Sequence, residues 1–70
     1  MKVISVTAGT RLDQLLKYAD IVSTGGEAKH VIQEGMVTVN NRIETRRGYK
    51  IKEGDVVKVG TVSLKISLKE

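Results

Sequence analysis

Five cationic side chains, Arg42, Arg46, Arg47, Lys50 and Lys52, fall in an eleven-residue stretch that holds one carboxylate, Glu44. The other seven cations are matched by seven carboxylates, so the net charge of +4 is concentrated there. Such a field on an otherwise neutral chain suits an anionic polymer; a merely solvated basic face is the plainer alternative. Arg46 and Arg47 are the first candidates for phosphate contact, with Arg42 and Lys50 beside them. A guanidinium grips phosphate through two parallel N–H bonds where lysine supplies a point charge. On a strand, adjacent side chains face opposite ways and only one of the two arginines can meet a given groove, whereas in a loop both can.

A second candidate anion site is Gly25-Gly26. If a helix starts there, the free N–H groups of Gly25, Gly26 and Glu27 carry the positive end of its dipole, and two residues without side chains let a phosphate approach the backbone. The same pair also reads as a loop turning into a capped helix. Material for catalysis is scarce. The chain has one histidine, His30, no cysteine, and no H-x-x-x-H or C-x-x-C spacing, so neither a metal site nor a Cys/His nucleophile is expected, and no cofactor is implied. Glu53 and Asp55 flank Gly54 in a predicted turn and have no evident buried partner, which leaves no catalytic acid/base pair.

Behind these residues stands a simple pattern of elements. Val3 to Val6 reads as a short strand, broken by Ala8-Gly9. Thr10 with Asp13 resembles a capping box, and Leu12, Leu15, Leu16 and Ala19 follow at helical spacing, so one stripe faces a core. Thr24 and Glu27 stand where each side chain can satisfy the other's backbone N–H, which predicts a second helix from Gly25 to Glu34. Ala28, Val31 and Ile32 form its buried stripe, Lys29, His30 and Gln33 its outer face, and Gly35 its left-handed cap. From Met36 the period becomes two. Val37 and Val39 lead into an Asn40-Asn41 hairpin turn, Arg42-Ile43-Glu44 returns, and Val57 and Val59, then Val62, Leu64, Ile66 and Leu68, alternate as two further strands. The predicted class is α+β, with two helices on a small, mostly antiparallel sheet.

Seventy residues make one domain, residues 1–70, which buries only about 60% of its unfolded surface, so a large active-site cleft is not expected. Apolar residues never run longer than two, which predicts no membrane span and no signal peptide, and hence a cytoplasmic protein.

The run R-L-D-Q-L-L-K from Arg11, followed by S-T-G-G-E-A-K-H-V-I-Q-E-G-M-V-T-V-N-N-R up to Arg42, resembles the S4 RNA-binding domain, named for a small-subunit ribosomal protein. The specific parts are Arg11-Leu12-Asp13, Glu27-Ala28-Lys29, Ile32 and Gly35-x-Val37-x-Val39-Asn40. With nothing attached to the module, the chain looks like the small free-standing bacterial members. The resemblance implies an αL-type two-helix motif, backed by a sheet, that grips structured RNA by backbone and shape without catalysis. Ribosomal RNA or ribosomal particles are the expected partners of a monomer. By the same resemblance, Arg11, Ser23, Thr24, Lys29, Asn40 and Arg42 match positions at or beside the RNA face. Many members carry a basic residue where this chain has Gly25, Gln33 and Thr38, and glycine where it has Asn41; the stretch from Arg46 to Lys50 is expected to supply the missing charge. The helix start, the Asn40-Asn41 turn and Arg46-Arg47 are expected on one side.

Arg11 has a local alternative partner in Asp13. Tyr49 is read either as a base-stacking ring or as a cover for the sheet edge, and Tyr18 as a partly buried helix residue. With only these two aromatics, the multi-ring platform that reads single strands is missing, which favours duplex or folded RNA. Two rivals share the basic strip: an acidic protein partner, and DNA bound through a superficial helix-turn-helix whose second helix offers little beyond Lys29 and Gln33 for reading bases.

Overall fold

The computed structural model describes residues 1–69. Along the chain the elements are β1 (Lys2–Thr7), α1 (Leu12–Tyr18), α2 (Gly25–Gln33), β2 (Val37–Val39), β3 (Arg42–Ile43), β4 (Val56–Val59) and β5 (Val62–Lys69). The strands form one sheet in the order β1-β5-β4-β2-β3. Among the described residues only the β1–β5 pair is parallel, so the mostly antiparallel α+β architecture predicted from the periodicity is the one observed.

The helix ends account for the connections. The cap of α1 falls one residue later than predicted: Arg11 is the N-cap, and Gln14 Oε1 accepts its N–H at 3.0 Å. Thr10 is instead engaged in the preceding turn, where its hydroxyl donates to the Thr7 carbonyl at 2.7 Å. At the other end Asp20 adopts a left-handed φ of 59°, and the N–H groups of Asp20 and Ile21 close on the carbonyls of Lys17 and Leu16. This is the paired-bond cap more often built on glycine. α2 starts as predicted, with Thr24 Oγ1 accepting the Glu27 N–H at 3.1 Å. The reciprocal bond reaches one residue further back, however, from the Ser23 N–H to Glu27 Oε1 at 2.9 Å. Gly35 ends the helix at φ 76°, with its own N–H and that of Met36 returning to Ile32 and Val31.

Leu12, Leu15 and Leu16 of α1 and Ala28 and Ile32 of α2 pack on the inward side chains of the sheet, Val6, Val37, Val39, Val57 and Ile66, with Ile51 closing one end. Each fully buried leucine or isoleucine contributes about 1.5–3 kcal/mol through apolar burial. Tyr18 does not join them: it is 60% exposed, because it lies off the stripe that Leu12, Leu15 and Leu16 define. The Asn40-Asn41 turn has φ 53° and 69° at its two residues and sets Val39 opposite Arg42. That is the two-residue hairpin geometry whose twist suits paired strands.

Candidate nucleic-acid interface

Between β3 and β4 the chain leaves the sheet. Arg46 and Arg47 lie in this loop, where strand alternation does not apply, and the Tyr49 N–H closes a turn onto the Arg46 carbonyl at 3.2 Å. The loop is fastened to the first turn of α1. Leu12 donates to the Tyr49 carbonyl at 2.8 Å, Asp13 to that of Arg47 at 3.2 Å, and Ile51 to that of Thr10 at 3.1 Å. Two of the N–H groups left free at any helix start are thereby used to hold the basic loop. The same contacts bring Arg11 opposite Lys50 in a single antiparallel bridge.

Asp55 anchors the loop from beneath. Contrary to the expectation of a turn carboxylate without a buried partner, it is 5% exposed and accepts three hydrogen bonds. Oδ1 takes the Asn40 Nδ2 at 2.9 Å, while Oδ2 takes the Tyr49 hydroxyl at 2.8 Å and the Lys52 N–H at 2.9 Å. Burial alone would raise its pKa, but the bonds from Asn40, Lys52 and Tyr49 outweigh that and hold it below the usual 3.8. Burial, then the bond to this carboxylate, pushes the Tyr49 hydroxyl up to about 12. The Asn40 amide is used on both sides, since its Oδ1 also accepts the Val56 N–H at 2.9 Å. Its side chain therefore ties the hairpin to β4. Glu53 is engaged too, accepting the Leu68 N–H at 2.8 Å.

Tyr49 is the floor of the basic surface. The guanidinium carbon of Arg46 lies 5.7 Å from the ring centroid and the Lys52 ammonium 6.0 Å. Both are within cation–π range. Arg46 is also held by Glu44: Nε meets Oε2 at 2.9 Å, Nη2 meets Oε1 at 3.0 Å, and the Arg46 N–H adds a third bond at 3.0 Å. The bond from Arg46 lowers the Glu44 pKa below its ordinary value. Two shallow recesses share Arg46 and Tyr49 as a wall; Arg42 and Asn40 border one, Lys50 and Lys52 the other. Among the described residues, Arg42, Arg47, Lys50 and Lys52 have no carboxylate within 4.0 Å, whereas Arg11 pairs with Asp13 at 3.4 Å.

The structure thus brings Arg11, Arg42, Arg46, Arg47 and Lys50 onto connected backbone around Tyr49. Ser23, Thr24, Gly25, Gly26 and Lys29 are exposed at the start of α2, and the far end of that helix meets β3, where a β-carbon on Gly35 would lie 3.6 Å from Ile43. Sequence reasoning placed Lys52 and Glu44 in the basic stretch without giving either a role there, and missed Asp55 as part of this surface altogether. Glu44 had a local signal, as the lone carboxylate two residues before an arginine. Asp55 had none, because its partners lie up to fifteen residues away. Among the described residues there is no group of three or more His, Cys, Asp or Glu suited to a metal ion.

A family model described as the S4 domain matches residues 6–67, which take in both helices, β2 to β4, most of β5 and the last two residues of β1. The chain belongs to the S4 domain family. Within it, the chain is 46% identical over 48 residues to a probable ribosome maturation protein RlbA of Bacillus subtilis (strain 168), covering 69% of this chain and 68% of the relative. It is also 37% identical over 57 residues to the small ribosomal subunit protein uS4 of Wolbachia sp. subsp. Brugia malayi (strain TRS). That match covers 81% of this chain but only 28% of the ribosomal protein. The uS4 of Wolbachia pipientis subsp. Culex pipiens (strain wPip) is similar at 34% over 59 residues, again covering only 29% of the relative.

Proposed function

We propose that this S4 domain protein binds structured RNA, ribosomal RNA in the first place, and serves ribosome assembly or maturation in the cytoplasm without catalysing a reaction. The observation that carries this reading is the basic loop itself. Five cations stand on backbone that is fastened to α1 and anchored by Asp55, so the charge is displayed at fixed positions and not on a mobile tail. Membership of the S4 family and the relatives' names, a probable ribosome maturation protein and ribosomal proteins uS4, support the choice of RNA over DNA and over an acidic protein. In this mode the cations neutralise phosphates and the fold supplies register. Arg42, Arg46, Arg47 and Lys50 carry most of the contact, with Arg11 beside them, and Ser23, Thr24, Gly25, Gly26 and Lys29 of the α2 start forming a second contact; Asn40 acts by shaping the turn.

Each phosphate neutralised releases counterion, so four or five contacts give log affinity a slope of about −3 to −4.5 against log salt. Titration of purified ribosomal RNA at increasing salt measures it, and a flat affinity refutes the mechanism. Nuclease treatment of ribosome-associated protein separates the rivals: only the RNA mode loses its partner. Duplex DNA that competed as well as ribosomal RNA would favour the DNA reading.

A further inference from the structure

We propose that the Arg46 guanidinium is a stacking surface for one unpaired base of the bound RNA, with Arg42 taking the phosphate of the same nucleotide; this rests on the RNA-binding reading above. The ring of Tyr49 is not available for that role. Its hydroxyl is bonded to the buried Asp55, and Arg46 and Lys52 lie over the ring. The outermost flat group is therefore the guanidinium, whose side chain is 73% exposed while the Glu44 side chain that holds it is 14% exposed. Glu44 occupies Nε and one side of Nη2, in the plane of the guanidinium. A fork bound edge-on leaves the open face of the plane free, along with the two N–H bonds of Nη1 and one of Nη2.

A guanidinium fixed this way differs from a free arginine. It cannot turn edge-on to every passing phosphate, and its planar face is offered at little further entropic cost, which is what stacking of an extruded base requires. Arg42 lines the same recess as Arg46, has no carboxylate within 4.0 Å among the described residues and remains available to a phosphate. A base on one arginine and its phosphate on the other fit a single bulged nucleotide. Glu44 is then a positioning residue: it touches no RNA but keeps the Arg46 plane in place.

The test is competition against labelled ribosomal RNA by two hairpin RNAs, identical except that one carries a single-nucleotide bulge, using the full chain. The wild type should prefer the bulged hairpin. Arg46→Lys retains the charge and loses the plane, so it should lower the preference for the bulged over the unbulged hairpin about five- to 150-fold, the range for losing one base stack. Glu44→Gln raises the net charge by one, so it should strengthen binding of the unbulged hairpin while lowering the preference for the bulge; a purely electrostatic role would raise both alike. Circular dichroism of both variants, altered only at the surface loop, establishes that they are folded. Equal competition by the two hairpins against the wild type, or equal weakening of both by Arg46→Lys, overturns the inference and leaves the RNA-binding reading intact. Failure of the wild type to bind ribosomal RNA at all overturns that reading, and this one with it.

Discussion

Replacing Asp55 with asparagine should loosen the basic loop without unfolding the domain. The carboxylate accepts from the Asn40 amide, the Tyr49 hydroxyl and the Lys52 N–H, and an asparagine offers one oxygen and one NH2 in its place. With the oxygen kept towards Tyr49 and Lys52, the new NH2 faces the NH2 of Asn40. Turning Asn40 over relieves that clash but takes its oxygen away from the Val56 N–H. One hydrogen bond is lost in either arrangement, and a charged acceptor becomes neutral, for about 1–2 kcal/mol. Asp55→Ala strands all three donors, which costs about 3–5 kcal/mol if partly rehydrated. Against a total of about 4–10 kcal/mol for a chain of this size, asparagine leaves a folded protein and alanine a marginal one. Urea unfolding followed by circular dichroism reads both, and the asparagine variant should melt about 4–16 °C lower. The pH dependence has a definite sign. The folded-state pKa of Asp55 is depressed, so its contribution is complete above the unfolded value, about 3.9, and is lost as pH falls through the folded value. The stability curves of wild type and Asp55→Asn should therefore converge below about pH 4. An asparagine variant within about 0.5 kcal/mol of wild type at pH 7, with parallel curves in acid, would refute the reasoning.

The Tyr49 hydroxyl, raised to about 12, contributes stability that is full below the unfolded pKa near 10 and is lost as pH rises towards 12; Tyr49→Phe should remove this alkaline transition in an ultraviolet titration. Gly35→Ala should cost about 1–2 kcal/mol in urea, because a left-handed φ of 76° penalises a β-carbon even though the nearest neighbour, Ile43, leaves it room. Arg46→Glu combined with Arg47→Glu should leave the melting temperature within a few degrees, since both side chains are exposed, yet weaken ribosomal RNA binding more than tenfold; unchanged affinity in the folded double variant would move the interface elsewhere.

Most of the fold is legible from local pattern. The stripe of Leu12, Leu15 and Leu16, the Thr24 cap, Gly35 and the Asn40-Asn41 turn each act through neighbours within four residues, and each appears where the spacing puts it or one residue away. What local pattern does not reach is pairing over distance. Nothing in K-V-I-S-V-T announces that β1 lies parallel to β5, some sixty residues later, because the alternation of Ile4 and Val6 is satisfied by any buried neighbour. The end of α1 was hidden for a related reason: its left-handed residue is Asp20 and not a glycine, and aspartate adopts that conformation only when the returning bonds from Asp20 and Ile21 reward it.

For the interface, charge counted along the chain overstates what a phosphate meets. Arg46 is bound to Glu44 and Arg11 to Asp13, the partner its spacing suggested, which leaves Arg42 of β3 and Arg47, Lys50 and Lys52 of the loop as the cations of this stretch without a carboxylate within 4.0 Å among the described residues. The salt dependence of ribosomal RNA binding distinguishes the two counts. Four phosphate contacts predict a slope of about −2.8 to −3.6, and recruitment of Arg46 away from Glu44 extends it to about −4.5. In Glu44→Gln the fork is weakened, so its slope should steepen by up to about 0.9 relative to wild type if phosphate draws Arg46 away. A slope that is identical in the two proteins and stays at the four-contact value means that Arg46 exchanges no counterion on binding. Its contribution then comes from the face of the guanidinium and not from its charge, which is the role the bond to Glu44 suits.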